Sequence, residues 1–144
     1  MYKHILIATD GSELAGRAAA AGLALAAALN ARVTVVTVTE PWSAMVTGEP
    51  ALTFPIEDYE KAAANNAARI LARVADAAND AGVACETVQV RDFPAEGIVA
   101  AARDKGCDLI VMASHGRRGL SKLILGSQAT RVLALSAVPV LICR

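Results

Sequence analysis

At 144 residues the chain has the length of one ordinary domain and can bury a core of its own. Apolar residues make up 55% of it and aromatics only 3%, while 14 Lys and Arg balance 14 Asp and Glu. A formal charge of zero excludes the basic excess of a dedicated nucleic-acid binder, and no polybasic run offers a membrane anchor. Met1 passes straight into a strand-like run, without the pattern of a signal peptide. The longest apolar stretch, Ala18 to Leu29, has 12 residues, short of the roughly 20 that span a bilayer. Cys85, Cys107 and Cys143 are odd in number and widely spaced, with no CxxC. They read as buried free thiols in a reducing cytoplasm.

His4 to Ala8 is a short continuous apolar run, the mark of a strand buried on both faces. It ends in Thr9-Asp10-Gly11-Ser12, where Ser12 can cap a helix and Glu13 suits its first turn. That helix is predicted to run to about Asn30 with Leu14, Ala18, Ala21, Leu25 and Ala28 on its packed face. Val33 to Val38 is a second strand, rich in β-branched residues. Residues 40–56 hold Pro41, Gly48, Pro50 and Pro55 and predict one long loop, expected to be mobile without ligand. A long helix follows, with Tyr59, Ala63, Ala67, Ile70, Val74, Ala77 and Ala81 stepping at three and four, and Gly82 closing it. Val83 to Val90 is the third strand. Pro94 opens a helix that ends before Gly106. Leu109 to Ala113 is a fourth buried strand, Gly126-Ser127 precedes the last helix, and Pro139 to Cys143 is the fifth strand.

Strands alternating with helices predict an α/β fold whose parallel strands are joined by right-handed crossovers and covered on both faces. In such sheets ligands bind beyond the carboxyl ends of the strands, where strand order reverses. The first and fourth strands are expected to flank that point, which brings Asp10 beside Ala113-Ser114-His115-Gly116. Gly116 and Gly119 allow close backbone approach, and Gly126-Ser127 presents N–H groups at a helix N-terminus, where the dipole favours an anion. The Ser127 hydroxyl can meet a phosphate or cap its own helix, and residue types alone leave both open. Asp10 can help place Mg²⁺ through water or can serve, with Gly11, as a turn residue. His115 has no Ser or Cys partner with an orienting acid, so it reads as a loop residue beside phosphates. Arg117, Arg118 and Lys122 either offset phosphate charge or form a solvated face. Trp42 and Met45 either cover a bound base or touch a protein partner. His4 lies at the far end of the sheet and has no expected chemistry.

Several enzyme classes are excluded by specific residues. No G-x-x-x-x-G-K-[ST] marks a P-loop, and no G-x-G-x-x-G follows the first strand. The paired glycines of ATP pyrophosphatases are missing before Asp10-Gly11-Ser12. The third strand does not end in the phosphoacceptor Asp of a receiver domain, nor the fifth in its Lys. No positioned base for γ-phosphate transfer is visible, so no catalytic residue is assigned and the expected role is binding, with slow hydrolysis left open.

The glycine spacing resembles that of the ATP-binding branch of the universal stress protein family, whose motif G-x2-G-x9-G-[S/T] follows the fourth strand. Gly116, nine intervening residues and Gly126-Ser127 match it without a gap, whereas Ala113 stands in place of the first glycine. Thr9-Asp10, Val38 and Pro139-Val140-Leu141 extend the resemblance over most of the chain. It implies a single three-layer domain over 1–144, with a five-stranded parallel sheet ordered 3-2-1-4-5, Rossmann-like and akin to adenine nucleotide alpha hydrolases. It further implies ATP, ADP or AMP as ligand, with Ala8, Thr9, Asp10, Val38 and Met112 around the adenosine and Asp10 near the phosphates or their Mg²⁺. Ala113, His115, Gly116, Arg117, Gly126, Ser127 and Gln128 would hold or adjoin the ribose and phosphates. At Ala113 the missing glycine implies either strain, if the backbone is left-handed, or a methyl group crowding the ribose. The family also implies a homodimer through the apolar last strand and a stress-response or signalling role with an unidentified protein partner. The alternative is a dimeric interaction module with a vestigial pocket.

Overall fold

The computed structural model describes residues 1–41, 55–116 and 124–144. The elements run β1 (His4–Ala8), α1 (Glu13–Leu29), β2 (Arg32–Thr39), α2 (Ile56–Asp80), β3 (Cys85–Arg91), α3 (Pro94–Lys105), β4 (Leu109–Ala113), α4 (Ser127–Leu135) and β5 (Val140–Cys143). All five strands pair in parallel in the order β3-β2-β1-β4-β5, as expected. The order reverses between β1 and β4, where Ile5 pairs with Leu109 and Ile7 with Val111. Most of the predicted loop 40–56, with Trp42 and Met45, lies outside the described residues, as do Arg117, Arg118, Gly119 and Lys122.

Side-chain alternation along each strand splits the core into two layers. Ile5, Ile7, Val33, Val35 and Val111 face Ala19, Leu23 and Ala26 of α1 and Leu71, Val74 and Ala78 of α2. Leu6, Ala8, Val36, Ile110 and Met112 face Ala95, Ile98 and Ala101 of α3 and Ala129 and Val132 of α4. β1 and β4 are buried over their whole length, which is why they read in the sequence as unbroken apolar runs. Among the described residues no helix is long and apolar enough to cross a membrane.

Two helix faces differ from expectation. In α1 the buried set is Ala15, Ala18, Ala19, Gly22, Leu23 and Ala26, while Ala21 and Ala28 are exposed and Leu14 and Leu25 lie on a flank. In α2 it is Ala67, Leu71, Val74 and Ala78, while Ala77 and Ala81 are exposed. Both helices carry alanine on several sides, so more than one stripe fits a 3.6-residue period and packing chooses between them. Val83 also moves out of β3. Its N–H donates to the Ala78 carbonyl at 2.9 Å and closes α2 around Gly82, whose φ of +69° no side chain adopts easily. Pro139 stands just before β5, since it has no N–H for the ladder, but its carbonyl accepts from Ile110 at 3.0 Å. Of the three free thiols only Cys107 is fully buried, and burial pushes it up to about 11; Cys85 and Cys143 are half-buried.

At the amino-terminal pole of the sheet His4 is 7% exposed. Its Nε2 shares a hydrogen bond of 2.7 Å with Thr34 Oγ1, and its Nδ1 is shielded without a partner. Burial, then the Arg32 charge, lowers its pKa below the ordinary 6.5, against the opposing pull of Asp108 and Glu86. Below that value the unfolded chain takes up a proton that the folded chain resists. The stability is therefore complete above pH 6.5 and is lost as the pH falls towards the lower folded value. In His4→Gln the melting temperature should fall less steeply between about pH 7 and pH 5 than in the wild type, as read by calorimetry. Parallel slopes in the two proteins would show that another group carries the acid sensitivity.

Candidate functional site

The carboxyl ends of β1 and β4 open into a cavity of about 420 Å³. Its lower wall is apolar: Ala8 from β1, Val36 and Val38 from β2, and Met112 from β4. Pro94 and Ile98 of α3 close one side. That helix comes near because position 97 is glycine. A β-carbon there would stand 2.9 Å from both γ-carbons of Val38, too close for real atoms.

The turn after β1 is tied to itself. The Thr9 N–H donates to the Val36 carbonyl at 3.0 Å, and the Thr9 hydroxyl accepts from Gly11 N–H at 3.2 Å. Asp10 Oδ1 accepts from Ser12 N–H at 2.9 Å, and Ser12 Oγ caps α1 through Ala15 N–H at 3.2 Å. Asp10 thus takes the turn role foreseen for it through Oδ1. The other, Oδ2, faces the loop after β4, 2.5 Å from where a β-carbon on Gly116 would stand. Among the described residues no three His, Cys, Asp or Glu side chains gather as a metal cluster. A Mg²⁺ ion here would be held by Asp10, ligand oxygens and water, which suits a cation that gives up its hydration reluctantly.

The loop after β4 turns on Ser114, which is 3% exposed. Its N–H donates to the Cys143 carbonyl at 2.7 Å, its carbonyl accepts from Gly126 N–H at 2.9 Å, and its hydroxyl lies 3.0 Å from His115 Nδ1. One residue thereby fixes the end of β5, the start of α4 and the imidazole. Gly126 is the N-cap of α4, and having no side chain it makes no side-chain cap there. Ser127 is therefore the first helical residue and not the cap. At Gly126 the need is for space, since its φ is −60°. A β-carbon would meet the Ser114 carbonyl oxygen at 2.5 Å and His115 Cα at 3.4 Å.

Eleven of the twelve residues expected at the site line this cavity: Ala8, Thr9, Asp10, Val38, Met112, Ala113, His115, Gly116, Gly126, Ser127 and Gln128. The twelfth, Arg117, lies outside the described residues. Ala113 ends β4 without a positive φ, so the strain allowed for it is absent. It joins a small cluster with Ala15 and Ala18 of α1. The lining also includes Val36, Glu40, Pro94, Ile98 and Ser114, which the sequence analysis did not assign. The rule that ligands sit beyond strand ends was applied to β1 and β4. Applied equally to β2 and β3, it points to Glu40 and to the start of α3.

The whole chain, residues 1–144, matches the model of the universal stress protein family. It is 39% identical over 145 residues to "Universal stress protein in QAH/OAS sulfhydrylase 3'region" of Thermus aquaticus, with all of both chains covered. Among solved structures it is similar to hypothetical protein MJ0577, with 28% identity, a TM-score of 0.82, and 99% of this chain and 96% of that one covered. It is also similar to a universal stress protein crystallised in complex with cAMP, with 29% identity, a TM-score of 0.74, and 99% and 97% of the two chains covered. A match over every residue and a relative at this identity lead to one conclusion: the chain belongs to the universal stress protein family.

Proposed function

We propose that this chain binds an adenine nucleotide, ATP foremost with ADP and AMP as alternatives, in the cavity at the ends of β1 and β4. The observation that carries the reading is the pairing of an apolar wall with a helix N-terminus whose N-cap is a glycine, in one cavity. Ala8, Val36, Val38 and Met112 offer a flat apolar seat for a base. The first N–H groups of α4 have no partners inside their own helix, and the dipole there favours an anion. A related protein bound to cAMP supports an adenine ligand. Asp10 would help place Mg²⁺ against the phosphates. The role is that of a cytoplasmic stress-response or signalling module, in which nucleotide state sets conformation and the choice of protein partner. Binding, not turnover, is its work.

The vestigial-pocket alternative leaned on Ala113, whose extended backbone and packing against α1 remove the strain argument for it. ATP at a hundred times its dissociation constant should raise stability by about 2.7 kcal/mol, read as a thermal shift. No shift with millimolar ATP, ADP or AMP would sink the reading.

The same role includes a homodimer through β5. That edge carries Val140, Leu141, Ile142 and Cys143 with Leu141 41% exposed, and Leu133 and Leu135 of α4 are exposed as well. Antiparallel pairing with a second copy would cover the edge. Light scattering at micromolar concentration should give twice the chain mass, and a monomer's mass would reject the dimer.

A further inference from the structure

We propose that Gly97 keeps the apolar end of the cavity wide enough for a two-ring base, by letting the Val38 side chain stay out of it; this deepens the nucleotide reading and rests on it. Val38 lines the cavity and Gly97 does not, so the effect passes through Val38. Both Val38 γ-carbons lie 2.9 Å from where a β-carbon on Gly97 would stand, and Asp92 Cβ lies 3.3 Å from it. Only a hydrogen fits among these atoms.

A methyl group at position 97 would force either α3 or Val38 to give way. The helix is held. Its Gly97 N–H donates to the Phe93 carbonyl at 2.8 Å, and Ala95 and Ile98 on either side are buried against the sheet. Val38 is half-buried, and one turn about χ1 carries it to another staggered well. Across the sheet on one side stands Val90, its partner in β3. On the other side β1 pairs no further than Ala8 with Val36, and the space beyond is the cavity. The displaced methyl therefore enters the cavity beside its apolar wall. A purine covers more of that wall than a pyrimidine, so it loses more when the wall bulges. Gly97 acts through Val38 and is a positioning residue.

The test is calorimetric titration of the full chain with AMP and with CMP. Gly97→Ala should weaken AMP about tenfold and CMP by no more than about twofold, since one methyl group in an apolar pocket is worth roughly that discrimination. Val38→Ala removes both γ-carbons. In that background Gly97→Ala should change AMP affinity by less than about twofold, so the two substitutions are far from additive. This cycle needs AMP alone. A merely structural role would lower both ligands alike and leave the cycle additive. Methyl three-bond couplings in NMR should place Val38 in a different χ1 well in Gly97→Ala than in the wild type. Equal losses for AMP and CMP, an additive cycle or an unchanged Val38 rotamer would overturn the proposal. If AMP does not bind the wild type, the nucleotide reading falls, and the rotamer then judges the shape of the cavity by itself. A new χ1 well sustains the control of Val38 by Gly97, and the old one overturns it.

Discussion

Replacing Gly126 by valine is expected to lower ATP affinity at least about a hundredfold, a loss of about 2.7 kcal/mol. Replacement by alanine should do nearly the same. The obstruction begins at the β-carbon, which would stand 2.5 Å from a backbone oxygen that has no room to retreat, because the Ser114 N–H is bound to β5. The start of α4 must instead move away, and hydrogen bonds from its first N–H groups weaken steeply with distance and angle. The hydrogen bond from Gly126 N–H to Ser114 is strained at the same time. The unliganded protein should therefore also lose about 1–2 kcal/mol. Calorimetric titration with ATP, beside a urea melt of the free protein, separates the two effects. Full ATP affinity in Gly126→Ala would mean that the α4 terminus does not hold the ligand.

The second large effect lies in the core. Gly22 of α1 faces the sheet, and a β-carbon there would meet Ile7 Cδ1 at 2.8 Å, Ile7 Cγ1 at 2.9 Å and Val111 Cγ1 at 3.4 Å. Ile7 and Val111 are both wholly buried, so neither has space to swing into. Gly22→Leu should destabilise the fold by about 3 kcal/mol, overpacking outweighing a gain in helix propensity of about 1 kcal/mol. Gly16, on the same helix, has nothing within 4 Å of its would-be β-carbon and is exposed. Gly16→Ala should accordingly stabilise by about 0.5–1 kcal/mol. Urea unfolding of the two variants is decisive, because the same helix must give opposite signs. A stabilised Gly22→Leu would show that α1 does not sit this close to β1 and β4.

These glycines also mark the boundary of what could be read beforehand. β1 and β4 were plain in the sequence, because strands buried on both faces must be apolar at every position. Much of the cavity lining was named in advance too, but through the family resemblance, since the separation of Gly116 from Gly126-Ser127 matches the family's motif and residue types alone left the role of that loop open. The packed faces of α1 and α2 were not, because alanine satisfies a buried and a half-buried position alike. Nor were Pro94 and Ile98 seen at the cavity, for they reach it only through the close contact of Gly97 with Val38, between residues far apart in sequence. Ser114 was passed over for a similar reason. Its importance lies in backbone partners on two other elements, and a serine's identity says nothing of those.

The two borders of the sheet are unlike, and this bears on how far association can proceed. β3 shows charged side chains to solvent: Glu86 is paired with Lys105, and Arg91 is paired with Glu60 at 3.0 Å. An incoming strand would have to strip water from these pairs, which discourages it. β5 is four apolar residues long, and no charge interrupts it before Arg144. With one apolar border and one charged border, a subunit paired through β5 as proposed would join a single neighbour, and the union would use up the apolar border of both. In the proposed dimer growth would end at two by geometry, where two adhesive borders would let the sheet extend into a fibre.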